Sequence, residues 1–164
     1  MIIVSDTTPL RYLIEIEKVY ILENLFERIV IPQAVLNELQ QPKTPQTVKE
    51  WVVNHPGWLE VRQADPSLYA PQKRIGDGER EAFALALKLQ ADAVLLDDKG
   101  AMVEAKRLGL VTIRLFDLLE RAAKENLIAL PEMIDRLKRT SFRLPPDEIV
   151  HAMLERDRER KQAR

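Results

Sequence analysis

"MIIVSDTTPL", residues 1–10, drives an apolar run, Ile2, Ile3 and Val4, into Asp6, with Thr7, Thr8 and Pro9 directly behind it. A β-branched run makes a good buried strand, whereas a carboxylate at its end is expensive to desolvate unless something compensates it. "DAVLLDDKG", residues 92–100, repeats the arrangement: Val94, Leu95 and Leu96 stop at Asp97 and Asp98. Two strands of one sheet that end in acids suggest convergence, because ligands of open parallel sheets bind at the carboxyl ends of the strands.

Around these two runs, short β-branched stretches alternate with segments of helical period. Residues 2–5, 28–32, 58–64, 93–96 and 111–113 read as strands. The spacing predicts two helices after Pro9 with a break near Glu17–Lys18, then helices from Gln33 and over 46–54, 79–90, 99–108, 116–126, 131–139 and 146–160. Residues 65–78, with two prolines, two glycines and mixed charge, read as a mobile loop. The alternation predicts an α/β fold, a three-layer α/β/α sandwich around a mainly parallel sheet. One domain is expected, with residues 1–145 as its body and 146–164 as a C-terminal helix and charged tail of the same domain.

The 164 residues carry 25 basic and 26 acidic side chains, a net charge of −1, so any nucleic acid must be held by a local patch. There are no cysteines and only two histidines, His55 and His151, which excludes disulfides and thiolate chemistry and disfavours a histidine-rich zinc site. The N-terminal run is too short for a signal peptide, and no stretch approaches the roughly 20 apolar residues of a membrane span. A soluble, cytoplasmic protein is expected.

Each acid has a plain structural explanation beside the functional one. Asp6 and Asp98 stand where they could cap the helices that follow. In "IGDGEREAFALALKLQ", residues 75–90, the buried stripe Ala82, Leu85, Ala86 and Leu89 contains Glu79 and leaves Glu81 outside, at roughly 100° per residue. Glu79 therefore points inward, and it also gains from the helix dipole. Glu38 flanks Val35 and Leu39, a spacing equally compatible with exposure. Trp51 and Trp58 could stack bases, but beside Val52, Val53 and Leu59 they read first as packing residues.

The order of these acids, in "IVSDTTPL", "IVIPQAVLNEL", "GEREAFALALKLQADAVLLDDKGA" and "AKRLGLVTI", resembles the PIN-domain ribonucleases over roughly residues 1–115. Within them it is most similar to the VapC-like branch with a Gly-Glu-x-Glu-Ala segment. The resemblance implies a PIN-like fold and a Mg²⁺- or Mn²⁺-dependent endoribonuclease, often the toxin of a toxin–antitoxin pair. It implies catalytic roles for Asp6, Glu38, Glu79 and Asp97. It also implies metal ligation by Asp6, Glu79 and Asp97, with Asp98 an accessory candidate and the choice between Asp97 and Asp98 open. Thr7 matches the family's small hydroxyl residue beside the first acid and is implied as an RNA contact. Arg11, Lys73, Arg74 and Lys99 are the nearest cations in sequence for RNA phosphates. A homodimer and a small antitoxin are the expected partners. Apolar positions to spare, such as Ile21, Leu22, Leu25, Leu130, Met133 and Leu137, are the sequence's own support for self-association. The alternative is an inactive PIN-like module that binds nucleic acid or protein.

Overall fold

The first apolar run forms strand β1, Ile2–Ser5, and its parallel neighbours are β2, Arg28–Pro32, and β4, Ala93–Leu95. Strand β3, Leu59–Arg62, adds beyond β2, and β5, Thr112–Ile113, beyond β4. The five-stranded parallel sheet has the order β3-β2-β1-β4-β5. The chain is thus an α/β fold of the expected class. This computed structural model describes residues 1–71 and 74–164, which form two compact units, Met1–Leu115 and Phe116–Arg164.

The strand order fixes the layers of the first unit. From β1 through β2 to β3 the chain moves one way, and from β3 it returns past β2 and β1 to β4 and β5. Right-handed crossovers in opposite directions place helices on opposite faces. Helices α1 (Thr7–Glu15), α2 (Ile21–Leu25), α3 (Gln33–Glu38) and α4 (Gln46–Val53) follow the outward leg. Helices α5 (Asp77–Leu89) and α6 (Lys99–Arg107) belong to the return. Side chains of period two supply the face covered by the return helices: Val4, Val30, Val94 and Leu96 pack with Ala82, Phe83, Leu85 and Ala86 of α5 and with Ala101 and Ala105 of α6. The reversal between β1 and β4 is the topological switch point of the sheet.

Local differences from the sequence expectation have simple causes. Helix α1 starts at Thr7, before Pro9, because a proline in the first turn forfeits no intrahelical hydrogen bond. Helix α5 starts at Asp77, two residues early, with Gly76 in extended conformation at its cap. The stretch before it is anchored where it is described. Asp65 caps a short 3-10 turn at Pro66–Leu68, the Tyr69 ring lies 6.4 Å from that of Phe83, and Arg107 donates to the Ala70 carbonyl. Trp51 and Trp58 pack on each other, with centroids 6.0 Å apart.

The second unit, from Phe116 on, holds all but the first residue of α7 (Leu115–Lys124), with α8 (Leu130–Lys138) and α9 (Asp147–Gln162). Phe116 stacks on Phe142 at 6.2 Å, and the buried Asp157 is held by Arg160 and Lys161. Leu130, Met133, Ile134 and Leu137 are buried, as are Ile21, Leu22 and Leu25 in the first unit. These positions are therefore covered by the chain's own packing. No helix among the described residues is long and apolar enough to cross a membrane.

Four helices end on a left-handed residue, Glu17, Gln90, Gly109 and Asn126, and only one of these is glycine. After α6, Gly109 N–H donates to the Lys106 carbonyl and Leu110 N–H to that of Ala105, the paired bonds of a Schellman motif. After α5, Gln90 and Ala91 make the same pair to Leu87 and Ala86. A Cβ on Gly109 would meet nothing within 4 Å, so the backbone alone sets its preference. Gly109→Ala is expected to destabilise the fold by about 1 kcal/mol and Gln90→Gly to stabilise it by about 0.5–1 kcal/mol. Urea unfolding of the two variants checks the opposite signs.

Candidate active site

Asp6 follows β1 directly, and its amide donates to the Leu95 carbonyl at 3.0 Å, which fixes it beside β4 at the switch point. The residue is only 4% exposed. Although it occupies the N-cap position of α1 in extended conformation, it makes no capping hydrogen bond. One carboxylate oxygen, Oδ1, is buried with no hydrogen-bond partner. Capping thus does not explain this acid. Burial, then the negative charge of Glu79, pushes its carboxyl up to about 8; Glu38 and Asp98 add to the rise, and the Thr7 amide opposes it.

Glu38, the last residue of α3, is held at both oxygens. The Thr7 hydroxyl donates to Oε2 and the Gly78 amide donates to Oε1 at 3.1 Å. Thr44 secures the same turn through a hydroxyl bond of 3.3 Å to the Glu38 carbonyl. Gly78 is a feature that sequence reasoning missed. A Cβ there would sit 2.5 Å from Glu38 Oε1, so only glycine lets the carboxylate approach the first turn of α5 this closely. The available signal was the "GDGE" run opening a helix, with two glycines where propensity would favour neither.

Glu79 is half-buried in the first turn of α5, and its carboxyl is raised by burial and by Glu38 and Asp98, against the opposing pull of its own amide and that of Gly76. Contact with the Gly76 amide is one half of a capping box. Glu81, two residues on and roughly 200° round the helix, is not among the leading charges acting on Asp6 or Glu79. A cavity of about 150 Å³ is lined by Arg74, Glu79 and Asp98 together with Gly76, Gly100 and Ala101.

At the end of β4 the two aspartates part. Asp98 caps α6, accepting the Ala101 amide at 2.7 Å, and its charge is felt by both Asp6 and Glu79. Asp97 turns towards β5: its oxygens accept the Leu115 amide at 3.2 and 3.3 Å, and Arg114 Nε lies 3.7 Å away. The charges of Glu38, Glu79 and Asp98 thus all act on Asp6, while Asp97 accepts the Leu115 amide. Among the expected RNA contacts, Thr7 serves Glu38 and Arg11 is paired with Glu15 at 3.1 Å. Arg74 lines the acidic cavity, Lys99 is exposed beyond Asp98, and Lys73 lies outside the described residues.

Among the described residues no three His, Cys, Asp or Glu side chains converge tightly enough to enclose an ion as they stand. The donor chemistry nevertheless fits a hard cation: the donors are all oxygen, one is buried without a partner, and mutual repulsion already raises two of them. Mg²⁺ keeps several of its waters and is usually bound through one or two carboxylates, so a closed cage is not required.

A family model described as a PIN domain matches residues 2–158. Among solved structures, a PilT N-terminus domain protein from the hyperthermophilic archaeon Sulfolobus solfataricus is similar, at a TM-score of 0.52 and 21% identity. The match covers 74% of this chain and 93% of that one, and supports the fold. No curated protein sequence matches the chain.

The acidic site makes metal-free stability depend on pH. Unfolded, Asp6 loses its proton near 3.8; folded, it keeps it up to about 8, so between these values the native state binds more protons. Stability should be highest at the acid end of that window, fall as pH rises through it, and level off above about 8, with Glu79 adding in the same direction. Urea titrations in chelator should show this slope, and Asp6→Asn should remove most of it. A wild type whose stability is flat across the window would refute the buried, uncompensated state of Asp6.

Proposed function

The chain belongs to the PIN-domain family, whose members are generally nucleases, and from that premise we propose that it is a metal-dependent endoribonuclease. The observation that carries the proposal is the partnerless buried oxygen of Asp6 within reach of the charges of Glu38, Glu79 and Asp98. A carboxylate is kept in so unfavourable a place only where another interaction offsets the cost.

In this proposal Asp6, Glu79 and Asp98 hold Mg²⁺ or Mn²⁺, with Asp97 left to brace the β4–β5 edge. When bound, the cation supplies charge for the phosphodiester oxygens and lowers the pKa of a water. The chain's own contribution is positioning. Thr7 and Gly78 lock both oxygens of Glu38, leaving it to orient a water through its remaining lone pairs rather than to reach for the ion. Arg74, beside Glu79 and Asp98, is placed to receive a phosphate oxygen. The VapC-like toxin reading adds a homodimer and a small antitoxin whose basic residue meets the acids; light scattering and co-expression with the neighbouring gene test these partners.

Cleavage of single-stranded and structured RNA in Mg²⁺, Mn²⁺ and EDTA is the deciding measurement. Asp6→Asn and Asp98→Asn should lower cleavage on the order of 100-fold or more. The amide oxygen that Asp98→Asn introduces can still cap α6, so the fold should survive that change. Asp97→Asn should instead lower stability more than cleavage. Metal-insensitive cleavage, or full activity in folded Asp6→Asn, would overturn the proposal; RNA binding without any cleavage would favour an inactive module.

Two further variants separate positioning from ligation. Gly78→Ala improves helix propensity but displaces Glu38, so cleavage should fall while the melting temperature holds or rises. Metal at about 100 times its Kd should add about 2.7 kcal/mol to wild-type stability. Calorimetry should find that gain reduced in Glu79→Gln and retained in Gly78→Ala and Glu81→Gln.

A further inference from the structure

Strand β5 is one edge of the sheet, and a groove of about 480 Å³ opens beside it against α6. Its helical wall follows from the sequence period: Lys99, Met102, Val103 and Lys106 are spaced i, i+3, i+4, i+7 and form one stripe. The stripe carries cations at both ends and apolar side chains between them. Leu110 extends the apolar floor, and Arg114 supplies a third cation. On the other side of the same helix Ala101 and Ala105 enter the core, so burial does not account for Val103, which remains 54% exposed.

The electrostatics of the groove run against the rest of the molecule. The chain has a net charge of −1, yet among the described residues no carboxylate lines this groove. Neither Lys99 nor Lys106 forms an ion pair with any described residue, whereas Arg11, Arg28, Arg107, Arg136 and Arg156 are all paired. Arg114 is tied only at 3.7 Å to Asp97. The groove also adjoins the acidic cluster through one peptide bond, because Asp98 belongs to the cluster and Lys99 to the groove.

We infer that this groove is a subsite for a single-stranded RNA segment flanking the bond held at the acidic cluster. Phosphates meet Lys99, Lys106 and Arg114, and a base lies against Met102, Val103 and Leu110. A nucleotide combines an anionic backbone with a flat apolar base, which matches cationic ends around an apolar floor. The assignment rests on the nuclease proposal and extends it to how the substrate is carried away from the acids.

The test uses the full chain. Fluorescence anisotropy with a labelled single-stranded RNA in EDTA reads binding without cleavage, and steady-state kinetics with metal read KM and kcat. The double variant Lys99→Gln/Lys106→Gln should bind about tenfold more weakly, with a log–log salt slope smaller by about 1.4, at roughly 0.7 per lost phosphate contact. KM should rise with little change in kcat. Val103→Ser, which removes apolar floor without adding charge, should weaken binding with the salt slope unchanged. Unchanged binding and KM in a double variant that still cleaves RNA overturns the subsite and leaves the nuclease proposal standing. A wild type that neither binds nor cleaves RNA overturns both. If the double variant loses self-association seen in the wild type while binding RNA normally, the groove is a protein interface and the subsite is again overturned.

Discussion

The rest of the first unit is organised around one unfavourable act, the desolvation of Asp6 at the reversal point of the sheet. A parallel sheet with covered faces offers polar groups little water, and the strand-end carboxylate has an oxygen with no partner. What surrounds it does not neutralise it. Glu38, Glu79 and Asp98 add negative charge, while the amides of Thr7, Gly76 and Gly78 and the Thr7 hydroxyl serve to fix carboxylates in place. The fold uses its helix starts to hold acids close together, an arrangement that costs stability when empty and makes sense for a ligand of opposite charge.

The sequence makes the scaffold legible because periodicity is strong in it. The apolar runs at β1, β2 and β4 and the stripe of α5 each specify an element, and the strand-to-helix alternation specifies their parallel pairing. Asp6 and Glu79 were legible for the same reason, one from its strand end and one from its helical phase. The choice between Asp97 and Asp98 was not. Adjacent residues leaving a strand point in different directions, and the amide that Asp97 meets, that of Leu115, is set by tertiary structure while Asp98 caps α6. The role of Gly78 was likewise hidden, because it depends on a carboxylate 40 residues earlier in the chain. The apolar positions of α2 and α8 show the general limit: periodicity shows that a face must be buried, not which element buries it.

Asp98 shows how a structural and a functional explanation coexist. Its carboxylate caps α6 through Oδ1, an ordinary service at a helix start, and also contributes charge to Asp6 and Glu79. The same holds for Glu79, half of a capping box and part of the acidic cluster. Neither role displaces the other, since an N-terminal turn both wants negative charge and orients it.

The four acids come from four different elements: the end of β1, the end of α3, the start of α5 and the start of α6. None lies within ten residues of the next. A ribosome extending this chain therefore releases no competent fragment along the way, since Asp6 emerges first and waits some ninety residues for Asp98. Local fraying of any one of those four elements, or a single proteolytic cut that frees one, dissolves the constellation as a whole. Any chemistry that needs all four acids is therefore confined to the intact fold.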